Sequence, residues 1–297
     1  MSTPVLLQPG LTRRAALLGA ALAACTLRGA SAAEDTVARL AQLERRDGGM
    51  LGVEVRDTAT GRRFGHRADE RFPMCSTFKA IAAAAVLARA DAGKDDLNRR
   101  IAYGRDALLS YAPVTTKHVE TGMTLAELCA AAVVWSDNTA ANLMLDTLGG
   151  PGGITAFARA HGDTVTRLDR TEPTLNTAIA GDVRDTTSPA AMVGLLENVL
   201  LGRALSAESR ARLIGWMHDS PTGLKRVRAG LPEGWRTADK TGTGDNGTAN
   251  VVALIHRPDG APILAAVYLT GSPAEPAARD ALHAEIGRLI ARSLPGA

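Results

Sequence analysis

Aromatic side chains make up only 3% of this 297-residue chain. Its core must therefore be built mainly from Ala, Leu, Val and Ile, with Trp135, Trp216 and Trp235 as isolated bulky units. Cysteine is equally sparse: Cys25, Cys75 and Cys129 are the whole supply, too few for a disulfide scaffold. The six histidines, at 66, 118, 161, 218, 256 and 283, form neither H-x-H nor H-E-x-x-H, so the sequence gives a metal hydrolase no foothold and calls for no cofactor. No basic stripe interleaved with aromatics points to nucleic acid. At 45% hydrophobic and 22% charged residues, the composition is that of an ordinary globular protein.

The first segment reads as an address rather than as structure. "LTRRAALLGAALAAC" (11–25) sets paired arginines before an apolar run too short to cross a bilayer, and "ASA" at 30–32 supplies a small-residue cleavage site. It resembles a twin-arginine export signal. A cut after Ala32 is the preferred reading and releases a soluble periplasmic or secreted protein. "LAAC" at 22–25 also resembles a lipoprotein box, and a cut there leaves a membrane-tethered form with a lipid anchor on Cys25. Residues 1–32 carry Arg13, Arg14 and Arg28 but no acid, so their removal cancels the formal charge of +3. Cys75 and Cys129 then remain, beside a candidate nucleophile and in mid-helix respectively, and are expected to be buried free thiols.

Apolar periodicity changes along the chain. "MLGVEVRDTATGRRFGH" (50–66) alternates about a Thr-Gly turn, as a hairpin does. From Ser76 to about 217 the spacing is helical; "TLAELCAAAVVWSDNTAANLMLDTLGG" opens on a Thr124–Glu127 capping box and closes on Gly149 and Gly150. Strands return in "RTADKTGTG", "TANVVALIHRP" and "APILAAVYLT", and a helix ends the chain. The economical solution is an α/β (α+β) protein. One antiparallel sheet is built from both ends and flanked by terminal helices, with a helical segment inserted between.

Chemistry concentrates in four places. In "MCSTFKAI" (74–81), Ser76 and Lys79 stand nearly one helical turn apart and share a face. A serine hydroxyl needs a base before it is a nucleophile, a buried lysine can serve as one, and a helix start favours negative charge. "SDN" follows at 136–138 and "KTG" at 240–242. Between them lies "RLDRTEPTLNTAIAGDVRDTTSP" (167–189), with Glu172 and Asn176 four residues apart.

The order S-x-x-K, S-D-N, K-T-G is that of class A β-lactamases and penicillin-binding proteins. Residues 167–189 resemble the omega loop of class A serine β-lactamases, which penicillin-binding peptidases lack. The resemblance runs from "GVEVRDTATG" to the last helix. It implies the serine β-lactamase/penicillin-binding transpeptidase fold: a five-stranded antiparallel sheet domain (33–67 and 219–297), an all-α domain (68–218) with the omega loop at 167–185, and a site at their interface. It implies hydrolysis of a small-molecule β-lactam by a monomer. Ser76 would be the nucleophile, with Lys79 or, through a water, Glu172 as acylation base. Ser136 would relay a proton to the lactam nitrogen with Lys240 beside it. Backbone N–H groups of Ser76 and Thr243 would hold the oxyanion. Glu172 with Asn176 would activate the deacylating water, and the Glu172–Pro173 bond would be cis. Asn138 would bind the substrate's amide, Tyr111 would wall the cleft, and Thr241, Gly242 and Thr243 would meet the substrate carboxylate. Arg170 and Asp185 would clamp the loop. The other readings of the same serine and lysine are a D-Ala-D-Ala carboxypeptidase and a non-hydrolytic penicillin sensor.

Two departures are informative. Carbapenem-hydrolysing members pair the cysteine before the nucleophile with a second one at the place that is Gly244 here, so that staple is missing. Many members carry a carboxylate-binding arginine at the place of Ala249. Here "GLKRVRAGLP" offers Arg226 instead, flanked by Lys225 and Arg228.

Overall fold

The computed structural model describes residues 35–258 and 260–294; the expected leader and Cys25 lie outside them. Strands β1 (Met50–Asp57) and β2 (Arg63–His66) form the hairpin read from the alternation, pairing Val53 with His66 and turning through Gly61 at φ 70°. With β7 (Arg236–Gly244), β8 (Thr248–His256) and β9 (Ile263–Thr270) they make an antiparallel five-stranded sheet in the order β2-β1-β9-β8-β7. The first and last parts of the chain thus meet in one sheet, as the return of strand patterning implied.

Both faces of that sheet are covered, which explains why β8 and β9 read as continuous apolar runs. On β9, Ile263, Ala265, Val267 and Leu269 pack with Leu40 and Leu43 of helix α1 (35–47) and with Leu282, Ile286 and Ile290 of α8 (Pro276–Ser293). The alternate residues Leu264, Ala266 and Tyr268 join the larger core on the other face. That core holds α2 (Phe78–Asp91), α3 (Leu125–Val134), α4 (Asn138–Thr147), α5 (Gly152–Ala160), α6 (Pro189–Leu200) and α7 (Ala207–Asp219). Every residue of α2 from Phe78 to Leu87 is buried, so the alanine run that replaces aromatics is the central rod of the helical layer. Two short ladders complete the chain, β3 (Phe72–Pro73) with β6 (Thr186–Thr187) and β4 (Arg100–Ile101) with β5 (Met123–Thr124).

The capping box is present: Glu127 N donates to Thr124 Oγ1 at 3.2 Å, and Thr124 N to Glu127 Oε2 at 2.7 Å. The single helix expected to follow it is instead two. Ser136 adopts φ 59°, which ends α3, and Asp137 starts α4 by accepting from Ala140 N at 2.9 Å. The break lies within S-D-N and turns those side chains out of the helix line.

Cys75 and Cys129 are both buried and free. Burial raises both thiols above the ordinary cysteine range, so neither is a thiolate at neutral pH. Protein lacking residues 1–32 should not react with a thiol reagent while native and should titrate two thiols once denatured without reductant. Titration of none would mean that the pair is oxidised.

Candidate active site

Ser76 sits in a short 3-10 turn, Cys75–Thr77, that runs into α2. Cys75 is held at φ 45°, a costly conformation for a residue with a Cβ. The preceding backbone is pinned from three sides. Met74 N donates to Asp185 O at 2.9 Å, Asn250 Nδ2 donates to Pro73 O and Met74 O at 2.9 and 3.1 Å, and Thr77 Oγ1 donates to Met74 O at 2.8 Å. A Cβ at Gly242 would come within 2.7 Å of Met74 O, so the glycine of K-T-G is what lets β7 lie against the Ser76 turn.

Lys79 Nζ, fully buried, donates to Ser136 O at 2.8 Å and to Asn138 Oδ1 at 2.6 Å and lies 2.9 Å from Glu172 Oε1. The Ser76 hydroxyl donates to that same oxygen at 3.3 Å. Burial holds Lys79 below the usual lysine range against the opposing pull of Glu172. Lys240, also fully buried, donates to Ser136 Oγ at 3.0 Å and to Thr241 O at 2.8 Å. Burial, and then the charge of Lys79, push it well below the lysine range.

Glu172 is fixed by its own backbone. Its N–H donates to Asn142 Oδ1 and its carbonyl accepts from Asn142 Nδ2, each at 2.9 Å. The Glu172–Pro173 bond is cis. Asn176 Nδ2 donates to Glu172 Oε2, and its buried Oδ1 has no protein partner among the described residues. The loop ends are tied as the sequence suggested. Asp185 Oδ1 accepts from Asp169 N at 2.7 Å and Arg170 N at 2.9 Å, and Asp185 Oδ2 accepts from Arg170 Nε at 2.6 Å.

A cavity of about 350 Å³ opens over Ser76. Ser136, Asn138 and Tyr111 line one side and Thr241, Thr243, Arg226 and Thr222 the other, with Asn176 between. Lys79, Glu172 and Lys240 stand buried behind this lining. Tyr111 is half exposed, and its carbonyl accepts from Asn138 N at 2.9 Å, which ties the two together.

Arg226 is no solvated helix-end charge. Its Nε donates to Asp280 at 2.9 Å, Nη1 to Gly242 O and Asn250 O at 2.8 Å each, and Nη2 to Thr243 Oγ1 at 2.8 Å. Four of its five N–H donors are thus committed, and because Thr243 Oγ1 accepts from the guanidinium, its own hydroxyl proton is left for the cavity. Its neighbours do not share this role. Lys225 is exposed, and Arg228 turns to Asp239 at 2.8 Å, whose carboxyl burial pushes up to about 6.

Sequence reasoning missed Asn142, Thr222 and Asn250. Asn142 had a legible signal, standing four residues after Asn138 and so on the same helical face. Thr222, which accepts from Thr241 Oγ1 at 2.7 Å, and Asn250 had none, because tertiary folding alone brings them to the site.

A model of the β-lactamase enzyme family matches residues 33–294. Beta-lactamase OXY-2 of Klebsiella oxytoca is 45% identical over 284 residues, 95% of this chain and 98% of that protein. Beta-lactamase CTX-M-8 of Citrobacter amalonaticus is 51% identical over 238 residues, 80% and 82% of the two chains. Among solved structures, the class A β-lactamase of the last common ancestor of Gram-negative bacteria (GNCA4) superposes with a TM-score of 0.86 at 61% identity, covering 87% of this chain and 98% of that one. With the family model matching almost the whole described chain and the fold shared with class A structures, the chain belongs to the β-lactamase enzyme family and, within it, to class A.

Proposed function

We propose that this protein hydrolyses the β-lactam amide of penicillins and cephalosporins through an acyl-enzyme on Ser76, and so confers resistance to them. The observation that carries this reading is the sharing of Glu172 Oε1 by the Ser76 hydroxyl and Lys79 Nζ, with Asn176 on Oε2. A carboxylate so held is a base at the very atom where the ester forms.

In acylation, Ser76 Oγ bonds to the lactam carbonyl carbon and its proton passes to Glu172 or Lys79. Both groups are supported, because a proton arriving on one is a single hydrogen bond from the other. Backbone N–H groups of Ser76 and Thr243 stabilise the oxyanion. The C–N bond then breaks, and Ser136 gives its hydroxyl proton to the departing nitrogen. Lys240 favours this route, since its donation to Ser136 Oγ turns that proton toward the cleft. The proton taken from Ser76 passes by way of Lys79 to Ser136 Oγ, so that Ser136 is a hydroxyl and Glu172 a carboxylate again. In deacylation, a water between Glu172 and Asn176 loses a proton to Glu172 and adds to the ester carbonyl; the ester C–O bond then breaks and Glu172 returns the proton to Ser76 Oγ. The partnerless Oδ1 of Asn176 supports this, as it would accept that water's other hydrogen. Asn138 would receive the substrate's side-chain amide beside Tyr111, and Thr241 and Thr243 its carboxylate.

Every group required comes from one chain, which supports action as a monomer. The leader at 1–32 supports action outside the cytoplasm, soluble after Ala32 in preference to tethered at Cys25. The test is product analysis: the protein should convert excess penicillin to the ring-opened acid, one water heavier, and Ser76→Ala should not. Cleavage of an acyl-D-Ala-D-Ala peptide with no ring-opened product would assign a peptidase instead.

Arg226 enters this scheme through Thr243. Arg226→Ala should cost about 1.5 to 3 kcal/mol in kcat/KM for substrates bearing the carboxylate, the range for a hydrogen bond to a charged group. Lys225→Ala should be silent. Equal rates in all three proteins would remove Arg226 from the carboxylate site.

A further inference from the structure

The omega loop is held at its ends by Arg170 and Asp185, but its middle has a separate attachment. The turn joining β7 to β8, residues 245–247, reaches across to it. Asp245 N donates to Asn176 O at 2.9 Å, and Asn246 Nδ2 donates to Thr177 O at 3.0 Å and to Ala178 O at 3.2 Å. Both of the amide's acceptors are carbonyl oxygens, so the orientation of the Asn246 side chain is fixed by chemistry.

This attachment holds a conformation the loop would not keep alone. Ala178 stands at φ 46°, disfavoured for any residue with a Cβ, and the two carbonyls gripped by Asn246 are those on either side of its Cα. The turn is itself anchored. Gly271 N donates to Asn246 O at 2.7 Å, and a Cβ on Gly247 would fall 1.9 Å from Ser272 O, so the turn is wedged against the end of β9. Asn246 also adopts φ 50°, which asparagine tolerates better than most residues.

We propose that Asn246 is a positioning residue for deacylation: its amide fixes the backbone at Thr177 and Ala178 and thereby keeps the adjacent Asn176 side chain on Glu172. The inference rests on the hydrolytic function proposed above and adds to it a residue that no motif contains. Asn176 is bonded through its carbonyl to the turn and through its side chain to Glu172. The position of the water-activating pair therefore depends on a hairpin of the sheet as well as on the loop's own clamp. Acylation draws on Ser76, Lys79, Ser136 and Glu172, whose backbone is held by Asn142 and not by the tether, and it makes no use of Asn176. Loss of the tether should therefore separate the two steps.

Asn246→Gly keeps the left-handed backbone and deletes the donor; Asn246→Asp keeps the shape and sets a carboxylate against two carbonyls. In both, deacylation of a good penicillin should be about tenfold slower, the order expected of a displaced catalytic group. The acylation rate should stay within about twofold, so kcat and KM fall together. Ser76 adduct should then become visible by mass at steady state. Deacylation at the wild-type rate in both variants, or equal loss in both steps with a lowered thermal midpoint, would overturn the positioning role while wild-type turnover leaves the function standing. A wild-type protein that never turns over would overturn function and inference together.

Discussion

Glu172→Gln is expected to leave Ser76 able to attack a penicillin and unable to let it go. The side chain keeps its size, its backbone remains bracketed by Asn142, and its Oε1 can still accept from Ser76 or Lys79. What vanishes is the base that deprotonates the deacylating water, an effect of about 10² to 10⁴ in rate. Lys79 also loses its anionic partner at 2.9 Å. Burial already lowers Lys79, and the loss of the Glu172 charge that opposes this moves it further in the same direction, toward the form that can accept the Ser76 proton. The variant should therefore carry one acyl group on Ser76 within the first turnover and keep it, which intact-protein mass spectrometry reads directly. Turnover within a few-fold of wild type, or a protein that stays unmodified, would contradict the assignment.

Asp185→Asn should have the next largest effect. Asp185 is fully buried and accepts from two backbone N–H groups and from Arg170 Nε. An asparagine oxygen can keep the backbone bonds, but its NH₂ then faces the guanidinium, donor against donor. Breaking a buried pair from one side costs about 3 to 5 kcal/mol; Arg170 retains some exposure and water reaches it, so about 2 to 3 kcal/mol is expected here. The thermal midpoint should fall by several degrees. The loop between the lost tie and the turn at 245–246 should loosen, lowering kcat/KM for good penicillins more than for bulky cephalosporins. Calorimetry and the ratio of the two efficiencies measure this; an unchanged midpoint and ratio would make the pair a surface contact.

What was legible in the sequence was local. Ser76 and Lys79, one turn apart, were nominated by that spacing together with the order S-x-x-K, S-D-N, K-T-G, and Glu172 and Asn176 by the resemblance of the contiguous stretch 167–189 to an omega loop. Alternation and helical periodicity separated the sheet from its helical insertion. What was illegible depended on the third dimension. The helix expected through 124–150 breaks at Ser136 because a left-handed residue and an N-cap aspartate outweigh continuous apolar spacing. Arg226 was singled out among the three cations of "LKRVR" only through the family resemblance; what sets it apart is tertiary, since Lys225 is exposed, Arg228 pairs with Asp239 and Arg226 reaches Thr243. Nothing local in the sequence ties Asn246 to Ala178, 68 residues away. The glycine at 244 has a similar hidden reason: a Cβ there would meet both Asn176 O and Cys75 Sγ at 2.6 Å.

The central claim is that Ser76 is acylated and then freed. The most direct measurement mixes the purified protein, without residues 1–32, with a large excess of a chromogenic cephalosporin and counts rings opened per protein molecule. Sustained turnover until the substrate is exhausted is the predicted result. A single burst of one ring per protein, with the adduct persisting on Ser76, would contradict it and assign a penicillin sensor or a blocked peptidase.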